Sequence, residues 1–114
     1  MPRCTAIVPF IPGGEDLLST ASFYIDHLGF ERGWDDGSSP VENLELHRDE
    51  ISLVLYRTNN RLLSEWSTFR VQVRDVQEFY NSIESSNPSA IHSNGRLGKR
   101  PWGSIEFALL DPTG

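Results

Sequence analysis

The sequence predicts one mixed α+β domain made of a β-α-β-β-β unit followed by a β-α-β-β unit, the same order one strand short. Three observations carry that reading. Leu17 to Leu28 and Val76 to Ile83 place apolar residues three and four apart, the period of a helix with one buried side. Other segments alternate apolar and polar residues, or run apolar for a few positions, as strands do. The same order of elements then recurs, as a repeat in kind rather than in residues.

Thr5 to Ile11 is short and apolar, reads as a strand, and is closed by Pro12-Gly13-Gly14. Leu17, Leu18, Ala21, Tyr24, Ile25 and Leu28 define the first helix. Glu15 and Asp16 stand in its first turn, where the helix dipole favours negative charge, and Gly29 supplies a left-handed cap. Phe30 to Asp35 is a second strand, ended by the turn-rich Asp36-Gly37-Ser38-Ser39-Pro40. Asn43 to His47 and Ile51 to Tyr56 form a hairpin across Arg48-Asp49-Glu50. Strand alternation puts Leu44 and Leu46 on one face, and Asn43, Glu45 and His47 on the other.

Arg57 to Glu65 is polar and reads as a loop between the halves. Trp66 to Val73 alternates again, with Phe69, Val71 and Val73 opposite Thr68, Arg70 and Gln72. Asp75 is a candidate N-cap for the helix marked by Val76, Phe79, Tyr80 and Ile83. Asn87 to Pro101 is loop-rich, with one short strand around Ala90 to His92. Gly103 to Leu110 is a strand and Asp111 to Gly114 a turn. The domain covers residues 1–114, with one module about 1–57 and the other about 66–114. Elements in this ratio fit helices packed on one face of a curved, mainly antiparallel sheet, whose other face lines a cleft.

Composition narrows the function. With 114 residues, 38% hydrophobic and 23% charged, the chain has the material for one globular core. A net charge of -6 and a pI near 4.9 argue against sequence-independent nucleic-acid binding, which needs a basic surface. One cysteine, Cys4, allows neither an internal disulfide nor a thiolate cluster and suits a reduced compartment. The short apolar run near the start is interrupted by Pro9 and Pro12, so neither a signal peptide nor a membrane helix is expected. A cytoplasmic protein is the expectation.

Three segments resemble the vicinal-oxygen-chelate superfamily, and particularly its bleomycin-resistance branch. Ala21-Ser22-Phe23-Tyr24-Ile25-Asp26-His27-Leu28-Gly29-Phe30 is similar to that family's first helix and its Leu-Gly-Phe exit. Val71-Gln72-Val73-Arg74-Asp75-Val76 is similar to the strand-to-helix step of its second module. Arg100-Pro101-Trp102-Gly103, followed by Glu106-Phe107-Ala108-Leu109-Leu110-Asp111-Pro112-Thr113-Gly114, resembles its Pro-Trp-Gly and Phe-x-x-x-Asp-Pro-x-Gly signatures. The resemblance implies two βαβββ modules, usually in a dimer, with pockets made by cupped sheets. It leaves function open, because the superfamily holds isomerases, dioxygenases and thiol transferases as well as drug binders.

Catalytic members hold a divalent ion through three or four converging His, Glu or Gln ligands. Here Thr5 to Pro9 offers no such ligand, and Thr68 stands about where a family histidine sits. The fourth ligand of the family comes from a strand beyond the Asp-Pro-x-Gly turn, a strand this sequence lacks. These departures argue against the family's standard metal site, and no metal and no cofactor are expected. Loss of that strand would leave a sheet edge unpaired, unless the sequence is a piece or a partner chain covers the edge; a homodimer is expected. Among the histidines, His27 suits a helix C-terminus and His92 a solvated loop, while His47 shares a face with Glu45 and Asn43.

In the drug-binding branch an aromatic side chain of the Pro-Trp-Gly segment stacks on the ligand, which points to Trp102 and Gly103 here. Trp34 and Trp66 are candidate additions, with core packing as the alternative. The expected concave face carries Asn43, Glu45, His47, Arg70, Gln72 and Glu106. Glu45, Glu106, Asp35 and Asp36 would meet a cationic tail. Arg70 departs from the family by placing a fixed positive charge on that face, unless it pairs with Glu45 or Glu106. The expected function is non-catalytic binding of a small aromatic molecule in a cleft at a dimer interface. A metal-dependent lyase, isomerase or dioxygenase with an unusual site around His47 and Glu45, and a degenerate protein-interaction module, are the competing readings.

Overall fold

The computed structural model describes residues 2–92, 95–99 and 105–109. Its first half forms β1 (Phe10–Pro12), α1 (Leu17–Leu28), β2 (Glu31–Asp35), β3 (Asn43–Arg48) and β4 (Ile51–Tyr56). They build one four-stranded sheet in the order β1-β4-β3-β2. β1 runs parallel to β4, and the other neighbours are antiparallel. Such an order needs a crossover between β1 and the rest of the sheet, and α1 with β2 supplies it.

α1 forms where its period lines up Leu17, Ala21, Tyr24 and Leu28, all buried, while Leu18 is left outward. Asp16 is its N-cap, accepting from the Ser19 N–H at 3.2 Å. Glu15 and Asp16 therefore precede the helix rather than fill its first turn. Gly29 ends it at a φ of 74°, a left-handed conformation that glycine adopts without a Cβ clash.

Leu44, Leu46 and Leu55 are completely buried, and Leu53 nearly so. Full burial of one such side chain is worth about 1.5–3 kcal/mol, so these leucines fix which face of the hairpin looks inward. β3 and β4 pair without a bulge from Asn43 opposite Tyr56 to Arg48 opposite Ile51. Their two-residue turn uses Asp49 at a φ of 51°, a conformation aspartate tolerates better than most residues.

The second half supplies α2 (Arg61–Trp66), α3 (Val76–Ser86), a 3-10 turn (Pro88–Ala90), and the paired strands β5 (Gly98–Lys99) and β6 (Ile105–Glu106). Asp75 caps α3 through the Glu78 N–H at 3.1 Å, as its position predicts. Ile83 of α3 joins the core of the first sheet. Arg48 fastens the same junction. Its Nη1 donates to the Leu28 carbonyl at 2.6 Å, and its guanidinium sits 5.2 Å from the centre of the Phe79 ring. One cation thus ends the β3–β4 hairpin, neutralises the C-terminus of α1 and lies against α3.

Five expectations change. The first strand covers 10–12, not 5–11, because the ladder to β4 starts at the Pro9 carbonyl, which accepts from the Val54 N–H at 2.9 Å. Residues 2–8 are exposed. The loop expected at 57–65 contains α2, whose cap is Asn60, accepting from Leu62 N and Leu63 N. Trp66 closes that helix, and 67–73 forms no strand among the described residues, since no ladder partner lies beside it. Ala90 belongs to the 3-10 turn, and Ile91 makes only an isolated bridge to Leu109. The last strand is confined to β6 among the described residues; Gly103, Leu110 and the closing turn at 111–114 lie outside them. The mixed α+β architecture, with α1 on one face of the sheet, is as the sequence predicts. No helix of the described residues is long and apolar enough to cross a membrane.

Leu46→Ala should destabilise the fold by about 2–5 kcal/mol in urea unfolding, because it empties a fully buried position. Leu62→Ala, at an exposed position of α2, should stay within about 0.5 kcal/mol. Equal effects would contradict the placement of the core.

Candidate functional site

Burial of Leu44 and Leu46 forces Asn43, Glu45 and His47 onto the opposite face of β3, where all three are half-buried. The β4 residues beside them are Tyr56, Val54 and Ser52. On the other flank, Glu31 of β2 is in register with His47. One side of the sheet is thus core, and the other carries a carboxylate, an imidazole and a second carboxylate in a row.

His47 is held from both sides. Its Nδ1 lies 3.0 Å from Glu45 Oε1, and its Nε2 lies 3.6 Å from Glu31 Oε2. The two carboxylates are unequal, for the Glu45 side chain is 14% exposed and that of Glu31 81%. The Glu45 hydrogen bond raises the imidazole above its ordinary 6.5; partial desolvation opposes this, and the charges of Glu45 and Glu31 add to it. The pair is an acid–base and cation-attracting arrangement.

Gly33 makes room for it. A Cβ at Gly33 would come within 1.7 Å of Glu45 Oε1 and 3.3 Å of His47 Nδ1. The Glu45 carboxylate therefore lies across the bare backbone of β2, where any side chain at 33 would displace it. Between Arg32 and Asp35 the register shifts, so that β2 carries one residue more than β3. Trp34 sits within this irregularity and is 53% exposed. Sequence reading missed Glu31 and Gly33. The cross-strand register that places them becomes visible only once β2 is paired, although a glycine inside a strand is itself a signal of close approach.

Asn43 is anchored rather than free, because its Nδ2 donates to Asp36 Oδ2 at 3.1 Å. Asp36 also accepts from the Ser38 hydroxyl and N–H and from the Glu42 N–H. These bonds, that of the Ser38 hydroxyl foremost, hold its carboxyl down at about 2. Asp35 is paired with Arg32 at 3.0 Å. Asp35 and Asp36, two of the four acids expected to meet a cationic tail, are thus already engaged within the 31–43 segment.

The remaining expected residues lie elsewhere. Arg70 Nη1 is 3.5 Å from Glu106 Oε2, so of its two expected partners it meets Glu106, on the two-stranded sheet rather than beside Glu45. Trp66 is 82% exposed at the end of α2, which rules out core packing for it in the single chain. Trp102 and Gly103 lie outside the described residues. His27 occupies the last turn of α1, as expected. His92 is half-buried rather than fully solvated, and its N–H donates to the Ala108 carbonyl at 2.9 Å.

Hollows among the described residues include one of about 390 Å³ between the start of α1 and the 58–64 segment and another of about 230 Å³ between β1 and 67–69. Neither is lined by Glu45, His47 or Trp34. The face is open at Glu31 and His47 and covered at Glu45 and Val54, which is 1% exposed. Among the described residues no group of three or more His, Cys, Asp or Glu side chains is arranged to hold a metal ion.

Gly33→Ala should push Glu45 away from His47 and return the His47 titration midpoint towards 6.5, as read by NMR of the imidazole. A raised midpoint means that the stabilising effect of the pair is fully present below 6.5 and fades as pH rises through the folded value. An unchanged midpoint in the variant would contradict the role given to Gly33.

No family model and no curated protein sequence matches the chain. Solved structures do. A bleomycin-binding protein from bleomycin-producing Streptomyces verticillus, complexed with copper(II)-bleomycin, matches with a TM-score of 0.78 at 24% identity, over 100% of this chain and 93% of that one. A bleomycin resistance determinant encoded on the transposon Tn5 matches at 0.76 and 28% identity, over 97% of this chain and 92% of the other. A lactoylglutathione lyase from Agrobacterium tumefaciens matches at 0.62 and 18% identity, over 99% and 90% of the two chains. By its fold, the chain is placed in the bleomycin-resistance and glyoxalase superfamily.

Proposed function

We propose that this chain binds and sequesters a small molecule with an aromatic part, in the manner of a bleomycin-resistance protein, in a cleft completed by a second copy. The observation that carries the reading is the near full-length likeness to the Tn5 bleomycin resistance determinant, at 28% identity and a TM-score of 0.76. The row of Glu31, His47 and Glu45 supports it, because Glu31 and His47 keep 81% and 42% of their side-chain surface exposed. That part of the sheet face is a binding surface in need of a wall.

A second copy is the natural wall. Residues 67–73 keep an alternating pattern, and Phe69, Val71 and Val73 are exposed without a ladder among the described residues. Ile7 and Phe10 are exposed as well, at 92% and 61%. Backbone without a ladder among the described residues, beside apolar side chains, is a surface that proteins usually cover, and a symmetric dimer covers it twice over. Within such a cleft, Trp102 and Trp34 are the proposed stacking residues, since an indole on a flat ring is worth about 0.5–1.5 kcal/mol beyond area burial. Arg70 and Glu106, already paired, would contribute hydrogen bonds without a net charge.

Tryptophan fluorescence during titration with metal-free and copper-loaded bleomycin, beside a panel of planar heteroaromatics, tests the function. The expected result is saturable quenching near one ligand per protomer, lost in Trp102→Ala. No quenching by any of them would contradict the reading. Light scattering tests the second copy: the expected mass is twice the 12.9 kDa of the chain, and a stable monomer would contradict the shared cleft.

A further inference from the structure

The row on β2 and β3 has an asymmetry that bears on how its occupancy is controlled. Glu45 is the buried carboxylate, wedged over Gly33 and 3.0 Å from His47 Nδ1; Glu31 is the exposed one, 3.6 Å from His47 Nε2. When the imidazole is neutral it has one proton to share, and the closer, more buried Glu45 holds that proton on Nδ1. Nε2 is then an acceptor facing another acceptor, the Glu31 carboxylate. When the imidazole is charged, Nε2 donates to Glu31 and both carboxylates are satisfied within the protein.

We propose that Glu31, His47 and Glu45 form a proton-gated subsite for a cationic group, in which a proton on His47 and an amidinium or ammonium of the ligand compete for Glu31. This rests on the binding function proposed above and adds its regulation. With His47 charged, the row has a net charge of about -1 and Glu31 is occupied. With His47 neutral, the net charge is about -2, and Nε2 together with a Glu31 oxygen offers two acceptors at the spacing a two-donor cation spans. Because the Glu45 hydrogen bond raises the His47 midpoint, the exchange falls above 6.5.

The charges around His47 leave this competition undisturbed. On β4 its register partner is Ser52, which does not titrate in this range. The adjacent Arg48 is committed to the other side, bound to the Leu28 carbonyl and paired with Asp49 at 3.5 Å. Glu50 lies in the exposed turn. α1 packs on the core face, across the sheet.

Benzamidine, an aromatic amidinium that stays cationic throughout, is the probe. Its dissociation constant, measured by NMR shift titration between pH 5.5 and 8.5, should fall by up to about tenfold per pH unit below the His47 midpoint and level off above it. By reciprocity, saturating benzamidine should lower the midpoint of His47. His47→Asn should bind with a flat pH profile, and Glu31→Gln should lose binding, while the NMR spectra of both remain those of a folded protein. A constant affinity across the range, an unmoved His47 midpoint, or no binding at any pH would overturn the proposal. Quenching by the bleomycin panel that saturates without pH dependence would leave the binder standing and remove the gate. Silence of that panel beside proton-linked benzamidine binding would do the reverse.

Discussion

Everything in this structure depends on the burial of alternate side chains along one strand. Leu44 and Leu46 have no exposed surface, and each sits opposite a buried leucine of β4, Leu55 and Leu53. A one-residue slip of β3 would bring Asn43, Glu45 and His47 into the core and expose the leucines, an exchange comparable in cost to the about 5–15 kcal/mol that hold a small domain folded. The polar row is therefore a consequence of packing. Because α1 must cover the leucine face, the opposite face is left to carry chemistry.

The row is then refined by the neighbouring strand. Absence of a side chain at Gly33 lets a largely buried carboxylate lie flat beside an imidazole, and the register of β2 brings Glu31 to the other ring nitrogen. A carboxylate as covered as Glu45 is tolerable because it has a partner at 3.0 Å. Arg48, one residue further along the strand, does comparable work on the core side, where its guanidinium joins the end of α1 to α3. Adjacent residues of β3 thus serve the polar face and the joint between the two halves.

The first half of the fold was largely legible in the sequence, for physical reasons that do not hold in the second. α1, β2, β3 and β4 have strong periodicity, caps such as Gly29 and a core to confirm them, and the face assignment of Asn43, Glu45 and His47 follows from alternation alone. The 67–73 segment shows where alternation misleads: it has the pattern of a strand, but a strand also needs a ladder, and none lies beside it among the described residues. In α2, a six-residue helix that buries Ser64 and exposes Leu62 and Trp66, the apolar pattern points away from the core of its own chain. Glu31 was illegible because its contribution arises from cross-strand register, which a single strand's sequence does not encode, and Gly33 gave only the general signal of a glycine inside a strand.

The central claim is that ligand binds the face of β3 opposite the core. Backbone amide NMR during titration with metal-free bleomycin tests it most directly. The account predicts that the largest shifts fall on residues 31–34 and on Asn43, Glu45 and His47. Shifts confined to the hollow between the start of α1 and the 58–64 segment, with those residues unmoved, would contradict it.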